Sequence, residues 1–137
     1  MANTSLSTDI YTYLHAYSAF NALVSRCEWG PMPVTAVDKT RVTYTMLSDV
    51  RVYDSHQRAQ RWRFWICVPQ TATNPKAAAL AIGNELLDLL HEIQGSFGST
   101  YIVWSENVSN QDPQFDENTA SWMIIQDYII RTKTLNI

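Results

Sequence analysis

The segment RAQRWRFWICV, residues 58–68, alternates large apolar side chains with arginines and other residues. Every second position carries an apolar group, namely Trp62, Phe64, Ile66 and Val68. The positions between them are Arg61, Arg63, Trp65 and Cys67. Successive side chains of a β-strand point to opposite faces of the sheet. The alternation therefore predicts a strand with one face in the core and a second face that carries arginines and a tryptophan.

That second face, with Arg61, Arg63 and Trp65, has three interpretations. It is a solvated or salt-bridged outer face, a protein interface, since arginine and tryptophan are enriched at hot spots, or a nucleic-acid surface. Trp65 favours an interface over bare solvent. The formal net charge of −3 argues against a dedicated binder of duplex DNA, because phosphate contacts supply most of the affinity of such proteins.

Upstream of this strand, the pattern predicts a helix, a short strand and a second long strand. Ser7 or Thr8 can cap the first helix, and a short helical turn follows a break near Ser18. The helix has apolar residues at helical spacing, namely Ile10, Tyr13, Leu14 and Tyr17. Residues 27–29 are expected to form a short strand, and residues 41–46 alternate as a long one. Residues 48–59 are polar and are interpreted as a hairpin connection or an arm.

The clearest helix begins after Asn74-Pro75, with Asn74 as N-cap and Pro75 at the first helical position. It is expected to run to about Gln94 and to end at Gly95. Gly83 lies beside its apolar stripe, where it lowers intrinsic helicity by about 1 kcal/mol. The compensation that we expect is a close approach of the helix to a sheet.

Two strands complete the chain. Residues 101–108 form the first, and an acidic connection over residues 110–119 follows it. Residues 122–131 are apolar on both faces over much of their length, which is typical of a central strand. The order of elements predicts a single α+β domain over residues 1–137, with an N-terminal helix and one long helix packed on a mostly antiparallel sheet of four strands or slightly more.

Motifs for catalysis, metal or cofactor binding are not found in the sequence, so we expect neither an enzyme nor a cofactor. The three histidines are isolated, and the acidic connection departs from the spacing of a calcium-binding loop. Cys27 and Cys67 are expected to be free thiols in a reducing compartment. Neither a signal peptide nor a membrane-spanning segment is predicted. We therefore expect a soluble protein that is made in the cytoplasm.

The layout resembles the tail-terminator, or tail-completion, proteins of long-tailed bacteriophages. The similarity lies in the order and character of segments over most of the chain. These segments are "AFNALVSR", a proline-rich turn, "TRVTYTMLSD", "QRWRFWICVPQT", "NPKAAALAIGNELLDLLHEI" and "SWMIIQDYIIRTK". A strand that ends in a segment such as "VPQT", followed by a helix with early alanines and late leucines, is similar to the pattern of this family.

The resemblance implies a structural virion protein that forms a ring, expected to be a hexamer, on the finished tail tube. Such a ring ends tail growth and joins the tail to the head. The implied partners are further copies of the chain, the tail tube protein and a head-completion or connector protein, with non-specific contact to DNA that passes through the lumen and no membrane. The protein would be assembled in the host cytoplasm and reside in the tail-neck region of the virion. The alternatives are another neck component, such as a head-completion or stopper protein, and a nucleic-acid-binding accessory protein.

A ring needs contacts in which two different faces of the subunit meet. The sequence offers opposite charges for such contacts, with four arginines expected on one side and three acids on a loop. The candidate interface residues are Arg51, Arg58, Arg61, Arg63 and Trp65, together with Asp112, Asp116 and Glu117. We expect some of these charges to pair between subunits or against the tube. The polar segments 48–59 and 110–119 are predicted to be arms that become ordered on assembly.

Overall fold

A computed structural model describes residues 5–30, 39–51, 57–97 and 100–134. The helices are α1 (Ser5–His15), α2 (Ser18–Leu23) and α3 (Pro75–Leu90). The strands are β1 (Arg26–Trp29), β2 (Arg41–Arg51), β3 (Gln57–Pro69), β4 (Gly95–Phe97), β5 (Thr100–Asn110), β6 (Gln114–Asp116) and β7 (Ser121–Thr134). They form one sheet in the order β1-β2-β3-β7-β5-β4, with β6 also paired to β7.

The α+β prediction is confirmed, but the sheet has seven strands and is larger than the predicted four. The four long strands, β2, β3, β5 and β7, pair antiparallel with one another. The short β1 runs parallel to β2. β4 and β6 contain three residues each, which is too short for an alternating pattern to be recognised in a sequence. The prediction of a central last strand is confirmed, because β7 lies between β3 and β5.

The alternation of β3 divides its side chains as the sequence predicts. Trp62 is 1% exposed, and Phe64, Ile66 and Val68 are fully buried. The residues between them are half-buried. Helices α1 and α3 contribute a second set of buried side chains to the same core, namely Leu6, Ile10, Leu14, Ala79, Ile82, Leu86 and Leu90. The described helices thus cover one face of the sheet, which we call the helical face, and leave the opposite one, the open face.

The helix α3 approaches the sheet closely at Gly83, as predicted. A Cβ atom on Gly83 would lie 2.9 Å from the Nε2 atom of Gln126, a buried residue of β7. That same Nε2 donates a hydrogen bond of 3.1 Å to the Gly83 carbonyl. The absence of a side chain at this position therefore allows a buried amide to reach the helix backbone.

Both ends of α3 differ from the prediction in detail. Asn74 is the N-cap residue, but its backbone is left-handed, with φ of 48°, and its side chain makes no cap hydrogen bond. The helix ends at Leu90 rather than near Gln94, and Gly95 begins β4 instead of ending the helix. The reversal occurs at Glu92, with φ of 55°, whose N–H donates to the Ser105 carbonyl over 2.7 Å. Contacts with β5 therefore end the helix early.

The predicted cap of the first helix is also wrong. α1 already includes Ser5, so Ser7 and Thr8 lie inside the helix. The reason is that Leu6 is fully buried with Ile10 and Leu14, which moves the start of the apolar stripe one turn towards the N-terminus. The short helix after a break near Ser18 and the short strand at residues 27–29 are confirmed by α2 and β1.

The two polar connections are shorter than predicted. Residues 48–51 continue β2 and residues 57–59 begin β3, and these two stretches pair with each other. Residues 52–56 lie outside the described part of the chain. Within 110–119, residues 114–116 form β6 against β7, and the Gln111 N–H donates to the Ile125 carbonyl over 2.9 Å. Seven of the twelve residues of the first predicted arm and four of the ten residues of the second therefore lie in strands.

Candidate functional site: the open face of the sheet

A buried carboxylate with two arginines lies at the centre of the open face. Asp127 of β7 is 1% exposed and stands directly opposite Arg63 of β3 in the strand register. Arg63 donates from Nε to Asp127 Oδ1 over 2.8 Å and from NH2 to Oδ2 over 3.0 Å. Arg61 donates to Oδ2 from Nε over 3.1 Å and from NH2 over 2.7 Å. The fork-like guanidinium geometry matches what carboxylates accept best.

The electrostatics of this group follow from that geometry. Hydrogen bonds from Arg63 hold the pKa of Asp127 below its usual value, with Arg61 adding to the effect, although burial acts in the opposite direction. The hydrogen bond to Asp127 likewise raises the pKa of Arg63. Asp127 is therefore ionised at neutral pH. One negative charge meets two positive ones, so the group keeps an excess of positive charge.

Apolar side chains surround the charged group. Trp65 lies next to it on β3, with the Arg63 Cζ 6.0 Å from the ring centroid. Ile125 stands opposite Trp65, and Ile129 stands opposite Arg61, both on β7. All three apolar residues are half-buried. We call Arg61, Arg63, Asp127 and Trp65 the arginine face. Arginine and tryptophan are among the residue types enriched in protein interfaces. Their combination on a half-exposed surface is therefore typical of an interface.

The structure separates the four arginines that the sequence grouped on one side. Arg58 alternates with Arg61 and Arg63 along β3 and therefore projects from the other side of the strand. Its NH1 donates to Asp49 Oδ1 over 3.3 Å, and it stands opposite the exposed Arg51 of β2. The prediction of a single side is wrong because the odd spacing from residue 58 to residue 61 reverses the face in an extended strand.

The three predicted acids also have different surroundings. Asp116 accepts hydrogen bonds from the Asn118 N–H over 3.1 Å and from the Thr119 hydroxyl over 2.9 Å, and so it holds the turn before β7. Glu117 is exposed in that turn. Asp112 is exposed and lines a groove of about 150 Å³ on the helical face, with Gly83 and Gln126 among its neighbours. Asp112 therefore lies across the sheet from the arginine face, whereas Asp116 pairs with Ser121 of β7 and is near enough to Cys67 to add to the effect of burial, which raises the pKa of that thiol.

Asp127 is the central residue of this site, and the sequence-based list of candidates omitted it. A signal for it exists in the sequence. It is an ionisable residue inside an otherwise apolar strand, and burial of a carboxylate requires a partner charge. The alternation also predicts which face it occupies. What the sequence could not supply is the register of β7 against β3, which places Asp127 opposite Arg63.

The described residues offer little for metal or thiol chemistry. They contain no group of three or more histidine, cysteine or acidic side chains that could hold a metal ion. Both cysteines are free. Burial raises the pKa of Cys27 to about 12, and burial also raises that of Cys67, so these thiols are poor nucleophiles at neutral pH. Across the described part of the chain, each helix is too short or too polar to cross a membrane.

Comparisons with known proteins identify the fold. No family model matches the sequence, and no curated protein matches it significantly. A chain from the virion of a native gene transfer agent particle is similar in structure, with a TM-score of 0.70 and 13% identity over 97% of this chain and 99% of that chain. A second solved protein aligns with a TM-score of 0.53 and 14% identity over 91% of this chain and 89% of its own. At these identities the similarity concerns the fold alone.

Proposed function

We propose that this protein is a structural component of a phage-like virion, and specifically that it forms the ring that ends the tail and joins it to the head. The observation that carries the proposal is the structural similarity to a chain of a gene transfer agent virion, which extends over nearly the whole of both chains. The segment pattern that resembles tail terminators supports the finer part of the proposal.

The open face supports a role in assembly. Packed sheets normally bury one face and leave the other polar and solvated. Here the second face carries Trp65, Ile125 and Ile129 beside a buried ionised group, and none of the described helices covers it. Such a surface is suited to a protein in which a neighbouring subunit covers the open face. The ring proposed here would have six copies, with the tail tube protein on one side and a head-completion or connector protein on the other.

Deletion of the gene in a phage that encodes this protein tests the terminator role. A protein that halts tail growth is required for uniform tail length, so electron micrographs of the deletion lysate should show tails that exceed the normal length and lack heads. A plasmid that supplies the intact gene should restore normal particles. Tails of normal length beside unjoined, filled heads would instead identify a head-completion or stopper protein and would contradict the terminator role.

A nucleic-acid-binding accessory role is the second candidate, because the arginine face has excess positive charge. A fluorescence anisotropy titration with a duplex DNA probe at low ionic strength distinguishes the two roles. The virion proposal expects weak binding that is insensitive to sequence and disappears at about 0.15 M salt, where surface charges are screened beyond about 8 Å. Tight binding that persists at that salt concentration would favour the accessory role.

A further inference from the structure

We propose that the arginine face of one copy binds the exposed carboxylates of residues 110–119, principally Asp112, on a second copy of the same chain. This inference rests on the proposed function, because a closed ring requires two different faces of the subunit to meet. The two faces are the arginine face and the acidic connection of residues 110–119. The contact is therefore head to tail, and each subunit uses its arginine face on one side and its acidic connection on the other.

The arginine side is built to accept a carboxylate. Asp127 binds both guanidinium groups through their Nε and NH2 atoms. The side chains of Arg61 and Arg63 nevertheless remain 41% and 34% exposed. Asp127 thus holds both guanidinium groups in place, while part of each arginine side chain stays accessible to solvent. Because Asp127 already orders both side chains, a second carboxylate can bind with a smaller loss of side-chain entropy than free arginines would cost.

The acidic side is presented on an ordered part of the chain. Asp112 and Glu117 are exposed, whereas the carboxylate of Asp116 is used within its own turn. Strand pairing of residues 114–116 with β7 holds the segment in position, as does the hydrogen bond from the Gln111 N–H to Ile125. Two carboxylates therefore project from a fixed connection and are available to a partner.

Asp112 and the arginine face lie on opposite faces of the sheet within one chain. Asp112 lines the groove that contains Gly83 and Gln126, which is on the helical face. Arg61 and Arg63 lie on the open face, where they bind Asp127. The sheet lies between Asp112 and the two arginines, so an ion pair between them has to join different copies. The opposite charge of the two surfaces favours a second copy as the occupant of the arginine face.

A double-variant cycle on the full-length protein tests the contact. The face variant combines Arg61→Gln, Arg63→Gln and Asp127→Asn, which removes all three charges and leaves no carboxylate buried without a partner. The loop variant combines Asp112→Lys and Glu117→Lys at two exposed positions. Sedimentation equilibrium at low ionic strength measures self-association of the wild type, of each variant and of the two sets combined, and circular dichroism with thermal melting checks folding.

Each variant set should weaken self-association about tenfold or more, as loss of close charge pairs at an interface does. The combined variant should be no weaker than the face variant alone, because both sets remove the same interaction. Lys39→Gln, at an exposed position before β2, and Asp88→Lys, an exposed acid on α3, are controls that should leave association within about twofold.

Three results would overturn the inference, namely a monomeric wild type at every concentration, losses that add independently, or a loop variant that associates normally. Loss with the face variant alone would show that the arginine face binds a different surface of the second copy. Failure of this contact can be distinguished from failure of the proposed function. If particles carry the protein at the end of the tail while the loop variant still assembles, the function stands and this contact is wrong.

Discussion

Gln126 and Asp127 are consecutive residues of β7 that occupy opposite faces of the sheet. Both are almost fully buried, at 3% and 1% exposure. On the helical face, Gln126 donates to the Gly83 carbonyl and accepts a hydrogen bond of 2.9 Å from the Tyr128 hydroxyl. On the open face, Asp127 is neutralised by two arginines whose outer atoms remain in solvent. The buried amide of Gln126 is satisfied by neutral hydrogen bonds, whereas the buried carboxylate of Asp127 requires positively charged partners.

The neutral group on the helical face serves the stability of the single chain, whereas the charged group on the open face is also suited to association with a partner. A neutral hydrogen-bonded network can be enclosed in an apolar core, because none of its members has to be taken out of water as an ion. The group around Asp127 also contributes to folding, although solvent partly screens its half-exposed arginines. The exposed parts of these arginines are in addition accessible to a partner.

The largest contrast is expected between two tryptophans of β3. Trp62→Ala should lower the free energy of unfolding by about 4 kcal/mol, because it removes a buried indole and leaves a cavity in the core. Trp65→Ala, on the half-exposed open face, should cost less than about 2 kcal/mol. Urea denaturation monitored by far-ultraviolet circular dichroism measures both. Equal losses would mean that the open face contributes to the core of the single chain.

The second effect concerns Asp127. Asp127→Asn should lower the free energy of unfolding at pH 7 by about 2 kcal/mol, a value that allows for the partial exposure of both arginines. The pKa of Asp127 is lowered in the folded state, so its contribution is fully present above the unfolded value of about 3.9 and is lost as the pH falls towards the folded value. The difference between wild type and variant should therefore shrink below about pH 4. A difference that stays constant across urea titrations from pH 7 to pH 3 would contradict this account.

A smaller loss is expected at Gly83. Alanine has the higher helix propensity, by about 1 kcal/mol, but the added Cβ would displace the Gln126 amide from the Gly83 carbonyl. Loss of a buried hydrogen bond costs about 1–3 kcal/mol, so Gly83→Ala should be destabilising by about 1 kcal/mol. Asn84→Ala, at the next and exposed position, is the matched control and should be neutral or slightly stabilising. A stabilising Gly83→Ala in thermal denaturation would show that the amide can move without cost.

The smallest effect is expected at Asp9 of α1, and its sign is opposite to that of Asp127. Burial raises the pKa of Asp9, and its Oδ2 atom is buried without a hydrogen-bond partner. A raised pKa means that the folded state prefers the protonated carboxyl, so the ionised form destabilises the fold as the pH rises. Asp9→Asn should therefore raise the free energy of unfolding at pH 7 by less than about 1 kcal/mol. Equal stability of the two proteins at pH 7, with a difference only at pH 3, would reverse this assignment.

The sequence predicted the long elements well because each shows a repeated pattern. Alternation gave β3 and its two faces, and the apolar character of both faces gave the central position of β7. Asn74-Pro75 gave the start of α3. The end of α3 could not be found in this way. Glycine is the residue type expected after a helix, but Gly95 does not end α3. Hydrogen bonds that join Glu92 to Ser105 and His91 to Asn107 on β5 end the helix at Leu90.

The candidate site likewise contains features that the sequence predicts and features that only the tertiary structure determines. The sequence alone determined that Arg61, Arg63 and Trp65 share one face, because side-chain direction in a strand is a property of the local backbone. It also placed an ionisable residue at Asp127 on the last strand. Only the tertiary structure decided that Asp127 meets both arginines, that Arg58 binds Asp49 instead, and that Asp112 lies across the sheet from the arginine face. These are consequences of register between strands distant in the chain, where a shift by one residue exchanges the two faces.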